Sequence, residues 1–506
     1  MERGSARPDD EDIGLVGVTG VADLARDHLQ PRVASEKPAA DSFDPAQRLG
    51  AVADVNPHLR VLRHEPDSRF AVARIQQLEE RVHRVDRTHG RQCTRHHSVV
   101  PSPLASHWGL DPEITYLNHG SFGACPTAVL DIQSDWRRRM ESEPVRFLDR
   151  ELDDHLADAR AALGEFVGAD PDDLALIANS TGGVNAVVRS LRFKTGDEIL
   201  ATDHEYNAVL NVVRHVAARD GARVVVARLP FPAVSADDVQ ERILGEVSDR
   251  TVLAVVSHVT SPTAILLPVE RLVPALAARG IDTLVDGAHA PGMIPLDLER
   301  LGAAYYVGDL HKWVCAPKGA AFLHVRRDRQ AGVRPATISH GANVPLADRP
   351  RYRSEFDWQG TLDPNAWLSV PAALRYIAGL VDGGWPAVMA LMHRLTLQAK
   401  RELEARLGTR ASPDEMLGSM VAVPLPAEGP LGGAPRGGEP SPHDVEPLQT
   451  LLFDRFRIEV PVYAWPVPAA QSPDPRRRLI RVSMALHNAP DDLARLVAAL
   501  EEVSRS

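Results

Sequence analysis

Between residues 173 and 325, seven short apolar runs alternate with stretches of helical pattern. Almost every position in these runs is apolar, so both faces of each strand have to be covered by other elements. Helices that connect such strands provide that cover, which is typical of a mainly parallel sheet with helices on both sides. The runs are DLALIANS, EILATDH, ARVVVARL, TVLAVVSHV, DTLVDGAH, AAYYVGDL and AAFLHV. The sequence therefore predicts an α/β fold.

The pattern changes on both sides of this region. After residue 365 a long helical stretch is followed by short strands and a final helix, which predicts a smaller α+β C-terminal domain over residues 366–506. We assign residues 106–365 to a large domain that contains the sheet. Residues 1–105 are rich in Arg, Asp, Pro and His and have weak hydrophobic periodicity, so we expect a disordered extension or a start assigned too far upstream.

Composition argues against several classes of function. The net charge of -11 at pH 7 disfavours general nucleic-acid binding, because neutralising phosphates requires a basic surface. The 506-residue chain has only 3 cysteines, and Cys93, Cys125 and Cys315 match no metal-site or disulfide spacing. We find no apolar run long enough to cross a bilayer and no signal-peptide pattern. We expect a cytoplasmic protein with no metal, membrane or nucleic-acid partner.

Five polar residues each come just after a different predicted strand. Ligands of mainly parallel sheets bind beyond the carboxyl ends of the strands. One polar residue at a strand end is ordinary capping, but five of them predict a shared site. The five residues are Thr181, His204, Ser261, Asp286 and Lys312.

Lys312 lies in the segment GDLHKWVCAPKG, between an apolar run and a Pro-Lys-Gly turn. A lysine on a solvated face is the usual finding, but here the flanks on both sides are predicted to be buried strand. A desolvated lysine has a lowered pKa and can act as an amine nucleophile. Such an amine forms Schiff bases with carbonyl compounds, pyridoxal phosphate included. This cofactor also needs an anion site for its phosphate, an anion for its pyridine nitrogen, a partner for its phenolic oxygen and a residue that stacks on its ring.

The phosphate of pyridoxal phosphate requires an anion site. Ser180, Thr181 and Gly182 directly precede an amphipathic helix, and hydroxyls with free amides at a helix N-terminus bind anions. An ordinary helix N-cap explains the same residues equally well. His311, beside the lysine, is a further candidate for the phosphate.

The pyridine ring requires partners of its own. Asp286 follows a buried strand, where an unpaired carboxylate is costly, and an ion pair with the pyridinium nitrogen would remove that cost and keep the ring an electron sink. His289 is a candidate donor to the phenolic oxygen, and His204 a candidate for stacking on the ring. The alternatives are a structural Asp/His pair in a turn and a half-buried histidine with satisfied hydrogen bonds.

The order of these motifs resembles that of a known family. NSTGG, DHEYNA, SHVTSPT, VDGAHAPGM and HKW followed by PKG resemble the class V aminotransferase group of pyridoxal-phosphate-dependent fold type I. The segments LNHGSFGACP, EPVRFLDR and VDGAHAPGMIPLDLE are most similar to the isopenicillin N epimerase-like members of that group. The resemblance covers residues 108–505 and leaves the N-terminal extension unexplained.

The resemblance implies roles for individual cofactor-binding residues. Lys312 becomes the Schiff-base lysine, and Asp286 becomes the partner of the pyridinium nitrogen. The other cofactor residues are His204 for stacking, Thr181 and His311 for the phosphate, and Ser261 and His289 for the phenolic oxygen. One position departs from the pattern, because related desulfurases have a phosphate-binding serine where this chain has Asp309. A carboxylate beside a phosphate is unfavourable, so we expect Asp309 to point away from the site.

The resemblance also implies substrate and subunit contacts. Gly360 and Thr361 match a segment that reaches the phosphate of the neighbouring subunit, which implies a homodimer with composite active sites. Arg481 matches the arginine that binds the α-carboxylate of a small amino-acid substrate as a bidentate pair. Asn118 and His119 match the N-terminal loop that lines the substrate pocket.

Several reactions are compatible with this scaffold. We favour an epimerase-like enzyme that acts at the α-carbon of an amino acid, with isopenicillin N epimerase as the template. Alternatives are a C–S lyase acting on a cysteine conjugate or sulfoxide, and an aminotransferase. Cysteine desulfuration is disfavoured because no cysteine follows Cys315. A transcriptional regulator with an aminotransferase domain would require a DNA-binding N-terminus, for which we find no winged-helix pattern.

Overall fold

The computed structural model describes residues 102–345, 349–432, 446–466 and 477–505. The predicted N-terminal extension, residues 1–105, therefore falls almost entirely outside the described residues. Within these residues no helix is both long and apolar enough to cross a bilayer.

The seven predicted apolar runs form one central sheet. The strands are, in chain order, β1 (Thr115–Tyr116), β2 (Leu174–Ile177), β3 (Glu198–Thr202), β4 (Arg223–Ala227), β5 (Thr251–Ser257), β6 (Asp282–Asp286), β7 (Tyr305–Asp309), β8 (Ala321–Val325), β9 (Met420–Pro424), β10 (Ile458–Glu459), β11 (Val462–Trp465) and β12 (Arg477–Ser483). The central sheet has the order β2-β8-β7-β6-β5-β3-β4. Strands β3 to β7 are parallel to one another, and β8 is antiparallel to β2 and β7. The predicted mainly parallel sheet is confirmed.

Helices connect most of the strands. The α-helices are α1 (His119–Phe122), α2 (Thr127–Ser142), α3 (Pro144–Arg146), α4 (Leu152–Val167), α5 (Ser180–Ser190), α6 (Asn207–Asp220), α7 (Ala236–Gly245), α8 (Val269–Ala277), α9 (Leu298–Leu301), α10 (Arg351–Asp357), α11 (Asn365–Leu368), α12 (Val370–Ala378), α13 (Gly384–Leu407), α14 (Pro447–Phe456) and α15 (Pro490–Arg505). Shorter 3₁₀ or π turns lie at Ala105–His107, Phe147–Glu151, Pro171–Asp173, Arg327–Gly332, His340–Asn343 and Asp414–Met416.

Both faces of the central sheet are buried. On β2, Leu174 and Leu176 belong to a cluster covered by α2, α4, α7 and α8, whereas Ala175 and Ile177 belong to a cluster covered by α5, α6 and α10. Successive side chains of a strand point to opposite faces, so a strand covered on both sides is apolar at every position. This explains the continuous apolar runs in the sequence.

A second, smaller sheet lies in the C-terminal part of the chain. Strands β11, β12 and β9 are antiparallel in that order, and α13, α14 and α15 pack around them. Residues 115–123, here called the N-terminal segment, join this region, because β1 pairs in parallel with β10 and Leu117 lies in the same apolar cluster. Conversely, Trp367 and Val370 of α11 and α12 pack in the cluster of the central sheet. Residues near both ends of the range 106–365 therefore pack with the other part of the chain. The sequence did not predict these contacts, because an apolar helix face does not by itself specify its partner.

A buried ion pair joins α4 to the end of α10. Nη1 of Arg160 is 2.6 Å from Oδ1 of Asp357, and the two side chains are 1% and 4% exposed. Asp357→Ala would leave the guanidinium buried without this partner, so we expect the free energy of unfolding to fall by about 3–5 kcal/mol. The control Asp237→Ala removes an exposed pair with Arg271 and should cost less than about 1 kcal/mol. Equal losses in urea unfolding would contradict a structural role for the buried pair.

Candidate active site

Lys312 lies just beyond the carboxyl end of β7, as predicted. Its residue is 9% exposed, and its Nζ is 3.1 Å from Oδ2 of Asp309. The turn is closed by backbone hydrogen bonds from Leu310 to Ala320 and from Ala316 to Leu310. The lysine therefore sits on a fixed turn inside the packed domain.

The N-terminal segment contacts the backbone of this turn. Nε2 of His119 lies 3.0 Å from the carbonyl oxygen of Lys312, and its Nδ1 lies 3.1 Å from Nε2 of His487. The carbonyl oxygen can only accept, so His119 donates a hydrogen bond from Nε2 and accepts one at Nδ1 from the Nε2–H of His487. Gly123 has a φ of +69°, and a Cβ there would lie 2.0 Å from the His311 carbonyl oxygen. Only glycine permits this close approach.

His119, whose role in lining the substrate pocket stays a prediction, is fully enclosed by protein in this structure. The residue is 0% exposed, and both of its ring nitrogens have protein partners. Burial lowers the pKa of His119 to about 4, so the imidazole is neutral near pH 7. His119 therefore positions the turn that carries Lys312 through its bond to the Lys312 carbonyl oxygen.

Asp309 also differs from the prediction, because it points into the site. Its Oδ1 accepts hydrogen bonds from the amide and hydroxyl of Ser180, at 2.8 and 2.9 Å. The positive end of α5 and the ammonium of Lys312 attract the carboxylate. The amide of Gly182 donates to Oδ1 of Asn179, the N-cap of α5, at 2.8 Å.

Because of these contacts, fewer of the predicted donors are free to bind the cofactor phosphate. The donors of Ser180 and the amide of Gly182 already have protein partners. Thr181 is half-buried, and its hydroxyl has no hydrogen bond with the described residues. His311 lies nearby, with its Nε2 3.7 Å from Oδ2 of Asp309 and its Nδ1 3.3 Å from the carbonyl of Ala320.

Asp286 and His289 lie at the carboxyl end of β6 and are 5% and 3% exposed. Burial raises the pKa of Asp286 to about 6, although the nearby Lys312 charge and the Ala288 amide act in the opposite direction. Burial lowers the pKa of His289 well below its usual value, and its Nδ1 has no partner in the described structure. The two side chains are not hydrogen-bonded to each other in the described chain, so the alternative of a structural Asp/His pair is not supported. A buried carboxylate and an unpartnered ring nitrogen fit the pyridinium and phenolic oxygen of pyridoxal phosphate.

His204, whose stacking on the cofactor stays a prediction, is enclosed by protein in this structure. Its residue is 0% exposed, and its Nδ1 and Nε2 lie 2.7 Å from Thr263 Oγ1 and 3.2 Å from the Leu229 carbonyl. Its ring packs against Trp465, with centroids 4.3 Å apart. No face of this imidazole is open to a ligand.

Tyr206, which sequence reasoning missed, is the exposed aromatic residue of this loop and lies near Asp286 and Asp309. It occupies the N-cap position of α6 and is 48% exposed. Burial raises its pKa, and the nearby Tyr463, Asp286 and Asp309 contribute in the same direction. An aromatic residue at the start of the helix that follows a central strand was the available signal for it.

Arg481 brings the C-terminal sheet to the N-terminal segment. The residue is 1% exposed, and its Nη1 donates to the Ser261 carbonyl at 2.7 Å. Its Nη2 donates to Ser121 Oγ at 2.8 Å and to Asn118 Oδ1 at 3.4 Å, and its Nε has no partner. The guanidinium also lies 5.2 Å from the ring centroid of Tyr463. In the described chain no carboxylate lies within ion-pairing distance of it, so only neutral acceptors hold this buried charge.

The remaining predicted residues occupy different positions. Ser261 lies against Arg481, and its role toward the phenolic oxygen stays a prediction. Thr361 is exposed on the turn between α10 and α11, and the preceding Gly360 has a φ of +113°. A role for these two residues would require a second copy of the chain.

The two described cysteines are not suited to nucleophilic chemistry. Cys125 and Cys315 are both buried. Burial raises the pKa of Cys125 to about 12 and raises that of Cys315 as well. Because the thiolate is the reactive form, neither cysteine supplies the nucleophile of a persulfide-forming reaction.

Comparisons with known proteins identify the family of the chain. The family described as "Aminotransferase class-V" matches residues 116–428. The chain is 32% identical to the "Probable L-cysteine desulfhydrase, chloroplastic" of Arabidopsis thaliana, over 81% of this chain and 86% of that protein. It is 37% identical to the "Isopenicillin N epimerase" of Amycolatopsis lactamdurans, over 78% of this chain and 96% of that protein.

The same fold is found in solved structures. The crystal structure of the cysteine desulfurase CsdA from Escherichia coli aligns with a TM-score of 0.62 and 21% identity, over 79% of this chain and 97% of that chain. The fold is therefore that of the pyridoxal-phosphate-dependent fold type I enzymes. The chain belongs to the aminotransferase class-V family and uses pyridoxal phosphate as its cofactor.

Proposed function

We propose that the protein is an epimerase that inverts the α-carbon of an amino-acid substrate, in the manner of isopenicillin N epimerase. The observation that carries the substrate class is the buried guanidinium of Arg481, which has only neutral acceptors. A buried positive charge without a negative partner is costly, and the carboxylate of a substrate would supply that partner. The choice of epimerisation is supported by the 37% identity to isopenicillin N epimerase over 96% of that protein.

Binding of the carboxylate would change the contacts of Arg481. Ser121 and Asn118 occupy Nη2, so a carboxylate that binds there would take their place. Both residues belong to the N-terminal segment, and neighbouring Phe122 is 69% exposed. Substrate binding would therefore displace this segment, while Ser261 keeps the guanidinium in position through Nη1.

Lys312 would act as the base at the α-carbon. Pyridoxal phosphate, when bound to this lysine, supplies an electron sink that makes the α-proton of the substrate acidic. Nζ of Lys312, once released, would accept that proton, and the carboxylate of Asp309 at 3.1 Å would stabilise the resulting ammonium. Asp286, as an anion, would keep the pyridine nitrogen protonated.

Inversion also requires a donor on the opposite face of the α-carbon. His119 is excluded from this role by its complete burial. Tyr206 lies near Asp286 and Tyr463 lies near Arg481, and neither tyrosine is fully buried. Burial raises the pKa of Tyr206, so its phenol stays protonated near pH 7 and can donate. We propose one of these two tyrosines as the second acid.

β-Elimination from a cysteine-type substrate is the second candidate. It is favoured by the similarity to an L-cysteine desulfhydrase, 32% over 81% of this chain. Such a lyase would use the same base and the same carboxylate site, and it requires no cysteine nucleophile. It differs in that a sulfur group leaves the β-carbon and no proton returns to the α-carbon.

The test is proton NMR of the cofactor-loaded protein in deuterated water, with isopenicillin N and with L-cysteine as separate substrates. An epimerase should replace the aminoadipyl α-proton by deuterium and form the D-isomer without a keto product. Sulfide and pyruvate from L-cysteine, without exchange into isopenicillin N, would establish the lyase and overturn the epimerase. Lys312→Ala should lose both reactions, whereas the exposed Lys194→Ala serves as a matched control.

Arg481→Lys should weaken substrate binding much more than cofactor binding. Lysine keeps the charge but cannot form the bidentate pair, and charge-assisted hydrogen bonds contribute about 1.5–3 kcal/mol. We expect KM to rise roughly 10- to 150-fold, with the cofactor Kd within about threefold of the original value. Steady-state kinetics and a cofactor titration check this, and equal losses in both would place the carboxylate site elsewhere.

Cofactor affinity should depend on pH through Asp286. Its pKa in the cofactor-free protein is raised to about 6, so below that pH the carboxyl becomes neutral and loses the ion pair with the pyridinium. Affinity should fall as the pH is lowered through about 6 and stay flat above it.

Because the cofactor phosphate also titrates near pH 6, the informative quantity is the ratio of Kd values between Asp286→Asn and the unmodified protein. We expect this ratio to shrink as the pH falls from 8 to 5, when fluorescence titrations of both proteins are compared. A ratio that is constant over this range would contradict the assignment of Asp286.

A further inference from the structure

His324 is a buried histidine whose two ring nitrogens are unsatisfied. It lies on β8, where it pairs with Leu174 of β2, and it is 3% exposed. Neither Nδ1 nor Nε2 has a hydrogen-bond partner among the described residues. Leaving a buried polar group unpaired costs about 1–3 kcal/mol, so such a group points to a ligand or an ordered water.

Two carboxylates lie beside this imidazole. Asp173 directly precedes β2 and is buried, whereas Glu299 lies on α9 and is exposed. Together with His324 each residue offers one ligand atom, and these atoms lie within 4.8 Å of one another. Three elements that are distant in sequence therefore meet at this point.

Each carboxylate is held in place by only one of its oxygens. Oδ1 of Asp173 accepts from Arg327 at 3.1 Å and from Gln330 at 2.7 Å. Oε1 of Glu299 accepts from the amide of Asp170 at 3.1 Å. In the described structure the second oxygen of each carboxylate has no hydrogen-bond donor, so it can serve as a ligand.

The local charge favours a cation. Asp170, Asp173 and Glu299 carry three negative charges, and Arg327, which pairs with Asp170 and Asp173, carries one positive charge. Three negative charges less one positive charge leave a net charge of −2. Arg326, the other cation near His324, is itself paired with an aspartate at 2.6 Å.

We propose that Asp173, Glu299 and His324 bind a divalent transition-metal ion of the Zn²⁺ class. An imidazole nitrogen with carboxylate oxygens is a ligand set that Zn²⁺ and its first-row neighbours accept, and a water completes four-coordination. The sequence predicted no metal site, because that prediction rested only on the spacing of the cysteines.

The position of the site indicates a structural role. β8 is antiparallel to β7, so His324, near the end of β8, lies at the opposite end of the sheet from Lys312. The metal would connect the edge strand β2, the α9 turn and β8. It would stabilise the fold without taking part in turnover.

The test is a titration of chelator-treated holoenzyme with Zn²⁺, by calorimetry and by thermal unfolding. We expect one equivalent to bind and to raise Tm. Co²⁺ should give the visible d–d bands of a four-coordinate site. Glu299→Gln removes an exposed ligand and should weaken Zn²⁺ binding by at least about tenfold, with turnover unchanged.

The matched control is Glu415→Gln, an exposed glutamate outside the cluster, which should bind Zn²⁺ as the unmodified protein does. Failure to bind either Zn²⁺ or Co²⁺ would overturn the proposal, and would leave an ordered water as the partner of His324. Equal Zn²⁺ affinity in the Glu299→Gln and Glu415→Gln proteins would also overturn it, because the metal would then lie elsewhere.

Discussion

The burial of Lys312, Asp286 and Arg481 beside one another constrains this structure more than any other feature. All three are at most 9% exposed, and a buried charge without a partner costs several kcal/mol. The protein compensates each of these charges only in part. Asp309 lies 3.1 Å from Lys312, one backbone amide donates to Asp286, and only neutral oxygens accept from Arg481. An aldehyde, a pyridinium and a carboxylate are the groups that complete this set, which is why the site suits pyridoxal phosphate and an amino acid.

The site depends on contacts between distant parts of the chain. The N-terminal segment supports the Lys312 turn through His119 and also contacts Arg481 through Asn118. The C-terminal region provides Arg481 itself and His487, which holds the tautomer of His119. Consequently a displacement of the N-terminal segment would be felt at both the lysine and the carboxylate site. This coupling offers a physical route by which substrate binding can affect the position of the catalytic amine.

Sequence patterns predicted the parts of the structure that depend on local periodicity. Apolar runs located all seven central strands, and the polar residues at the end of β6 and just after β7 located Asp286 and Lys312. The patterns failed where burial is decided by distant residues. Trp465 of β11 encloses His204, His487 covers His119, and the amide of Ser180 attracts Asp309. None of these partners is near its residue in sequence, so no local pattern distinguishes the buried histidines from the half-exposed Tyr206.

All the roles assigned to this site depend on the attachment of pyridoxal phosphate to Lys312. The most direct measurement is reduction of the purified, cofactor-loaded protein with borohydride, followed by proteolysis and mass spectrometry of the peptides. We expect one phosphopyridoxyl group, at Lys312 in the peptide that contains this residue. A modification at another lysine, such as Lys318 on the same turn, or no modification despite bound cofactor, would contradict it.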